Sequence, residues 1–351
     1  MSVRAVRIVR FLLTGLGNVG VPLLEILQSR ASLLMERYRL ELLPVGMADS
    51  GGAAVSPNGL DLAAVLAVKR AKGSVASLPV VGRPGMSGRA LVRDVKADLL
   101  LEATPTSLKD GQPGLDITRD ALMRGMPAVL ASKGPLVLGY AELAAMSDLE
   151  SPGRPPLRFS GAAGAAMPLV SLGRGDLALG KLGRFEGVLN NTSHLLLCRM
   201  AEGRTYEAAL AEAQALGIAE TDPSLDVDGW DTASKLVILA NAVMRVPTTL
   251  KDVSVTGIRG VTRAELDAAR AKGGQVLLLA QGEPLGGGRW EWSVRPTGVD
   301  AAHPLARLGA MEMGAVFRSD LHGVNTIINA EQGARGTGAA MLKDVLEIFP
   351  D

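Results

Sequence analysis

The sequence is poor in the residues that most often announce a specific chemistry. It carries one cysteine, Cys198, in 351 residues, which excludes a disulfide framework and any multi-cysteine zinc site. Its three histidines stand far apart, at 194, 303 and 322, so a zinc cluster is not expected. Aromatic residues make up 3% of the chain, too few for base-stacking platforms. No lysine and arginine run exceeds two residues and the formal net charge is +1; a phosphate-neutralising surface for nucleic acid is therefore not supported. No apolar stretch reaches the roughly 20 residues that a membrane span requires. The opening "MSVRAVRIVRFLLTG" has the basic-then-apolar order of a signal peptide, but Arg7 and Arg10 interrupt the run and a glycine turn follows, so it reads as a first strand. What remains is a chain 47% hydrophobic and 21% charged. That is the balance of a folded cytoplasmic protein with no nucleic-acid or membrane partner, long enough for two domains.

The first third alternates short apolar runs with helical spacing. "VRIVRFLLTG", "LELLPVGMADS", "DLLLEATP" and "PAVLASKGP" read as strands, separated by the helical stretches 18–38, 59–73 and 115–125. This alternation predicts βαβ units and a Rossmann-like parallel sheet. The proline-rich "ESPGRPPLRF" marks the expected boundary, giving a dinucleotide-binding domain over 1–150. Beyond it "RFEGVLNNTSHLLL", "TTLKDVSVTGI", "GGQVLLLAQGEP" and "RWEWSVRPTGV" read as strands of a mixed or antiparallel sheet with helices between them. The second domain is expected over 151–320, of α+β class, carrying substrate binding, catalysis and dimerisation. The segment 321–351 is expected to return to the nucleotide-binding domain, with "GARGTGAAMLKDVLEI" as a glycine loop feeding a helix.

Gly15-Leu16-Gly17-Asn18-Val19-Gly20 fits G-x-G-x-x-G between a strand and a helix. Gly15 makes the tight turn, Gly17 lets a pyrophosphate approach the backbone, and Gly20 permits close helix–sheet contact. The same pattern can serve packing alone, but its place at the head of a βαβ series favours a dinucleotide. Asp49 ends the second strand, where an acid favours NAD. It lies well beyond the usual spacing of about 20 residues, and it could equally be a turn residue, with Ser50 meeting a phosphate. NAD and NADP both stay open.

In "ETDPSLDVDGWDTASKLV", Asp231 and Lys235 are one helical turn apart on one face. Most such pairs are solvated and contribute a few tenths of a kcal/mol. Here the helix continues "LVILANAVM", apolar nearly all round. A lysine beside such a core needs a partner or a wet cleft. The Asp-Pro and Asp-Gly steps upstream allow Glu220 to fold back. Two or three carboxylates and one ammonium would suit a small zwitterionic ligand. The residues alone leave both readings open.

From about residue 8 onward the sequence resembles the homoserine dehydrogenases. The family's substrate motif is matched by Glu220, Asp222-Pro223, Asp226, Gly229, Asp231 and Lys235. Further landmarks are "EATPTS" (102–107), "GMPAVLASKGPL" (125–136), "GAAMPLV" (164–170), "HPLA" (303–306) and "GARGTG" (333–338). The resemblance implies reversible reduction of L-aspartate 4-semialdehyde to L-homoserine by NADPH or NADH, in threonine and methionine biosynthesis. It implies Lys235 as proton donor, directly or through water, Asp231 as its orienter and a substrate contact, and Asp226 and Glu220 as further substrate contacts, Glu220 at the amino group. Lys133 is the second lysine of the site, and Thr104, Ser132, Lys133 and Gly336 are expected to contact the coenzyme along with Asn18, Val19 and the glycines of the loop.

The chain departs from the family pattern in places. Ser132 stands where an asparagine is common, "NNTSH" replaces a pattern nearer "NGTTN", and Ser160 replaces a glutamate. Many members bind a monovalent cation, Na+ or K+, through backbone oxygens, which would fall here on Ser160, Ala163, Ala165 and Met167. The chain ends at residue 351, which implies a short form without an ACT-type regulatory module and without threonine feedback through one. A homodimer is expected. Two rival readings are a dehydrogenase of another amino acid or keto acid, and a non-catalytic dinucleotide sensor. The first has no reason to keep Glu220, Asp231 and Lys235 together, and the second predicts nucleotide binding without turnover and indifference to Lys235→Ala.

Overall fold

Phe11, Leu12 and Leu13 are completely buried because they form the middle of the central strand of the first sheet. The computed structural model describes residues 5–71, 73–330 and 333–350; Met1–Arg4, at the head of the stretch read as the opening strand, lie outside them. The chain divides into two units, one comprising Met1–Ala166 with Ala334–Asp351 and the other Met167–Gly333.

The first unit contains strands β1 (Arg7–Thr14), β2 (Leu40–Asp49), β3 (Gly52–Val55), β4 (Gly82–Pro84), β5 (Leu99–Glu102), β6 (Ala128–Leu130) and β7 (Leu157–Arg158). They form one sheet in the order β4-β3-β2-β1-β5-β6-β7. Pairs from β2 through β7 are parallel, and β3 and β4 add an antiparallel edge. Strand order reverses between β1 and β5, the switch point whose carboxyl-end crevice takes ligands in doubly wound sheets. The sequence reading missed β3 and β4, which are short and punctuated by glycine and proline. It also placed β7 in a boundary. Leu157 pairs with Ala128 and Arg158 with Val129, so the sheet, and with it the unit, continues past residue 150.

Helix Gly20–Tyr38 follows the glycine loop, and helix Arg335–Ile348 packs along it. A Cβ at Gly338 would lie 3.1 Å from the Leu23 Cα, so glycine allows this close approach. The expected terminal glycine loop is largely helical, because Arg335–Gly338 already form the first turn. The expected break at 321 falls later, because the strand after it belongs to the second sheet.

The second unit holds β8 (Leu182–Val188), β9 (Val253–Val255), β10 (Gln275–Gly286), β11 (Arg289–Val299), β12 (Glu312–Ser319) and β13 (Gly323–Ala330), ordered β13-β12-β8-β10-β11-β9. All pairs are antiparallel except β11 with β9, so the architecture is α/β with a mostly parallel sheet and a mixed one. "NNTSHLLL", read as strand, is helix Asn191–Ala201, because Asn190 caps it through its side chain.

Gly20 and Gly17 make separable demands. A Cβ at Gly20 would lie 2.0 Å from the Gly15 carbonyl oxygen, whereas one at Gly17 would meet nothing within 4 Å. Gly20→Ala is expected to lower stability in urea unfolding by about 1–3 kcal/mol through overpacking, despite alanine's better helix propensity. Gly17→Ala should stay within about 0.5 kcal/mol of wild type. Equal stabilities for the two variants would contradict this packing.

Candidate active site

The glycine loop is tied directly to the end of β2, since the Gly15 amide donates to the Ala48 carbonyl at 2.9 Å. Gly15 has φ +91°, and a Cβ there would lie 2.2 Å from the Ala103 carbonyl oxygen. The loop therefore presses against the end of β5 at the switch point. Val19 caps helix Gly20–Tyr38 with no side-chain hydrogen bond, so no side chain covers the first-turn amides. Gly17 and Asn18 are exposed. Open space at Gly17 and an uncapped helix start fit a pyrophosphate.

Asp49 is engaged within the protein. Its carboxylate accepts from the Gly51 amide (3.0 Å), the Ser74 hydroxyl (2.6 Å), the Lys69 ammonium (2.7 Å) and the Val75 amide (3.1 Å). Burial opposes its charge, but the Lys69 and Ser74 contacts prevail and its pKa is lowered. A carboxylate has about four acceptor sites, and all are occupied, so Asp49 acts here as the anchor of the loop at 74–75.

At the ends of β5 and β6, Thr104 donates through its amide (2.8 Å) and its hydroxyl to Glu102, and the Ser132 hydroxyl donates to the other carboxylate oxygen. Ser132 is therefore turned inward, buried at 3% exposure. Lys133 is half-buried, and its amide donates to the Thr106 hydroxyl at 3.1 Å. Gly336 lies in the first turn of helix Arg335–Ile348.

In the second unit, Gly229 (φ +87°) begins helix Trp230–Ala242, whose residues Leu236–Ala240 are completely buried. One turn in, Lys235 Nζ lies 2.9 Å from Asp231 Oδ2 and donates to the Leu189 carbonyl at 2.5 Å. The two side chains are 15% and 13% exposed. Asn190, one residue beyond Leu189, donates to Asp226 (2.7 Å) and Asp231 (3.0 Å), while its oxygen caps the next helix at the Ser193 amide (2.8 Å). Burial first, then the Asp231 charge, push the Asp226 pKa up against donors from Asn190 and Thr192 and the Lys235 charge. Asp226, Asp231 and Lys235 are thus brought together. Glu220 is exposed and outside this hydrogen-bonded group; its backbone carbonyl accepts from Gln214.

The segment expected to hold a cation is engaged in hydrogen bonds of its own. The Ser160 carbonyl already accepts the Gly164 amide and the Met167 carbonyl the Leu169 amide. The Ser160 amide and hydroxyl are held by Asp344 at 2.8 and 2.6 Å. Ala163 ends a helical turn and Ala165 has φ +50°. This segment is held by its own hydrogen bonds. Among the described residues no group of three or more His, Cys, Asp or Glu side chains could hold a metal.

A family model of homoserine dehydrogenase matches residues 168–346. The chain is 34% identical over 339 residues to the homoserine dehydrogenase of Methanocaldococcus jannaschii, covering 96% of this chain and 98% of that one. The chain belongs to the homoserine dehydrogenase family. It is also 32% identical over 337 residues to an NAD(+)-dependent homoserine dehydrogenase of Pseudomonas canavaninivorans, covering 96% and 95% of the two chains. A hyperthermophilic archaeal homoserine dehydrogenase solved with NADPH has a TM-score of 0.82 at 25% identity, with 97% of this chain and 98% of that chain covered. As a homoserine dehydrogenase the chain is an oxidoreductase acting on a CH–OH group.

Sequence reasoning missed two residues of this homoserine dehydrogenase, Asn190 and Glu102. An asparagine at a strand-to-helix junction signals a cap, but not that its amide group also serves two acids. A lone acid closing an apolar strand was the available sign for Glu102. His194 lies in the core rather than in this site: it is fully buried, bonded to the Gly309 carbonyl at 3.0 Å, and burial lowers its pKa.

Asn190→Ala removes a helix cap and the donor shared by two acids. It is expected to lower stability in urea unfolding by about 1–3 kcal/mol and to raise the Asp226 pKa further, as read by carboxyl NMR titration. An unchanged Asp226 titration would show that the shared donor has no such effect.

Proposed function

We propose that the chain catalyses the reversible, NAD(P)H-dependent reduction of L-aspartate 4-semialdehyde to L-homoserine, within threonine and methionine biosynthesis. The coenzyme assignment is supported by the NAD(+)-dependent relative, by the NADPH-bound archaeal enzyme and by the fit of the glycine loop to a pyrophosphate. Gly15, Gly17, Asn18, Val19 and Gly20 would hold the coenzyme, with Thr104, Lys133 and Gly336 as further contacts. When bound, the coenzyme supplies or accepts the hydride.

One observation carries the catalytic reading. An ammonium has three donors. Two of those on Lys235 are fixed, by Asp231 and the Leu189 carbonyl, and the third has no partner among the described residues. In the reducing direction the aldehyde oxygen gains negative charge. A preorganised ammonium donor stabilises that charge and delivers the proton that completes the hydroxyl. Asp231 holds Lys235 in place and offsets the cost of keeping its charge out of water. Asp226 would take the substrate's ammonium, and the exposed Glu220 would close on the same group. Ser132 and Asp49 act as scaffold in this reading.

We further infer a cytoplasmic homodimer joined through the second unit's sheet, whose edge strand β13 leaves Val324 and Ile328 about half exposed. No helix among the described residues is long and apolar enough to cross a membrane.

Lys235→Ala is expected to lower kcat at least about a hundredfold with coenzyme affinity little changed. Retention of more than about a tenth of the activity would remove Lys235 from this role. The raised Asp226 pKa sets a pH dependence. As pH falls, Asp226 loses its charge earlier than an ordinary aspartate, so the KM for homoserine should rise while the coenzyme KM stays level. Asp226→Asn should show the higher homoserine KM without that pH dependence. A pH-independent KM for homoserine in wild type would exclude Asp226 as the ammonium's partner.

A further inference from the structure

Glu102 is the one acid in the apolar run Leu99–Glu102 and is fully buried at the carboxyl end of β5. β5 is the first strand beyond the switch point. The glycine loop and β2 serve the adenosine side of such a sheet, so β5 and β6 serve the nicotinamide side. One oxygen of the Glu102 carboxylate receives the amide and hydroxyl of Thr104 and the other the hydroxyl of Ser132. These two residues belong to the turns that follow β5 and β6. The turns are cross-linked again by the Lys133 amide on Thr106. They are in close contact at Gly134, where a Cβ would lie 2.6 Å from the Ser107 carbonyl oxygen. Gly114 roofs the carboxylate; a Cβ there would lie 3.1 Å from Glu102 Oε1 and 3.0 Å from Ser132 Oγ.

Burying a carboxylate is costly, and burial pushes the Glu102 pKa up against its Ser132 and Thr104 donors. Its hydrogen bonds do one thing that an apolar residue could not: they clamp two turns to one point. Being fully buried, Glu102 does not touch a ligand.

We propose that Glu102 is a positioning residue for the nicotinamide half of the coenzyme site, holding the turns of Thr104 and of Ser132–Lys133 in fixed relation through one buried carboxylate. The inference rests on the coenzyme reading above. Its geometric consequence, that the turns loosen when the carboxylate is removed, does not.

The test uses Glu102→Ala and the isosteric Glu102→Gln. In coenzyme-free protein, hydrogen exchange of segments 103–107 and 131–134 should speed up at least about tenfold in Glu102→Ala, with β10 and β11 unchanged. In single turnover with reduced coenzyme and aspartate semialdehyde, the rate constant should fall at least about tenfold, as misplacement of reacting groups by a fraction of an ångström would cause. Amplitude should be retained and coenzyme Kd should stay within about threefold, because the glycine loop is intact. Loss of folded protein would lower amplitude without changing the rate constant. Glu102→Gln, which keeps an acceptor for Thr104, should fall between the two. If Glu102→Ala does not fold, Glu102→Gln decides, with at least about a threefold slower turnover at full amplitude expected. Wild-type exchange in either segment, or a wild-type rate constant in the deciding variant, would overturn the proposal. Failure of the coenzyme reading looks different: wild type itself would turn over neither NADH nor NADPH, while the exchange result could still be read.

Discussion

The site depends on an ammonium held inside an apolar helix. Lys235 can stand in helix Trp230–Ala242 because Asp231 answers its charge one turn earlier and the Leu189 carbonyl fixes a second donor. Either contact alone would leave the ammonium free to swing; together they aim it. The cost of keeping it largely out of water is offset only while both remain. Asn190 extends the same arrangement, because its amide group bonds Asp226 and Asp231 while its oxygen caps the following helix. Secondary structure and the acid cluster are thus fixed by a single side chain.

A parallel arrangement appears in the first unit, where acids at strand ends serve as anchors. Asp49 gathers four donors around the end of β2, and Glu102 gathers donors from two turns around the end of β5. In both places the carboxylate is occupied by the protein, which frees nearby backbone and exposed side chains for a ligand. The acids of the second unit differ in kind. Asp226 carries a raised pKa beside Asp231, a like-charge pairing that an incoming cation relieves.

Much of this was legible in the sequence because the signals were periodic or chemically forced. The βαβ alternation, the glycine loop, and the Asp231–Lys235 spacing each follow from helix and strand geometry. Less legible were the parts that depend on long-range contact. β3 and β4 are held by antiparallel pairing rather than by local apolar runs, and β7 sits in a proline-rich stretch that reads as a linker. Asp49 ends the second strand, as a ribose-binding acid would, but beyond the usual spacing, and nothing local reveals that Lys69, Ser74 and Val75 would converge on it. Glu220 illustrates the converse. It belongs to the family's motif, yet it is exposed and outside the hydrogen-bonded group of Asp226, Asp231 and Lys235, because spacing along the chain does not say which acids a fold draws inward.

The central claim is that the third donor of Lys235 meets the oxygen on which charge develops. A crystal structure of the chain with oxidised coenzyme and L-homoserine tests it most directly. The account predicts Lys235 Nζ within about 3.2 Å of the homoserine hydroxyl oxygen, with the Asp231 and Leu189 contacts intact. A homoserine hydroxyl beyond hydrogen-bond reach of Lys235, with the ammonium turned to solvent, would contradict it.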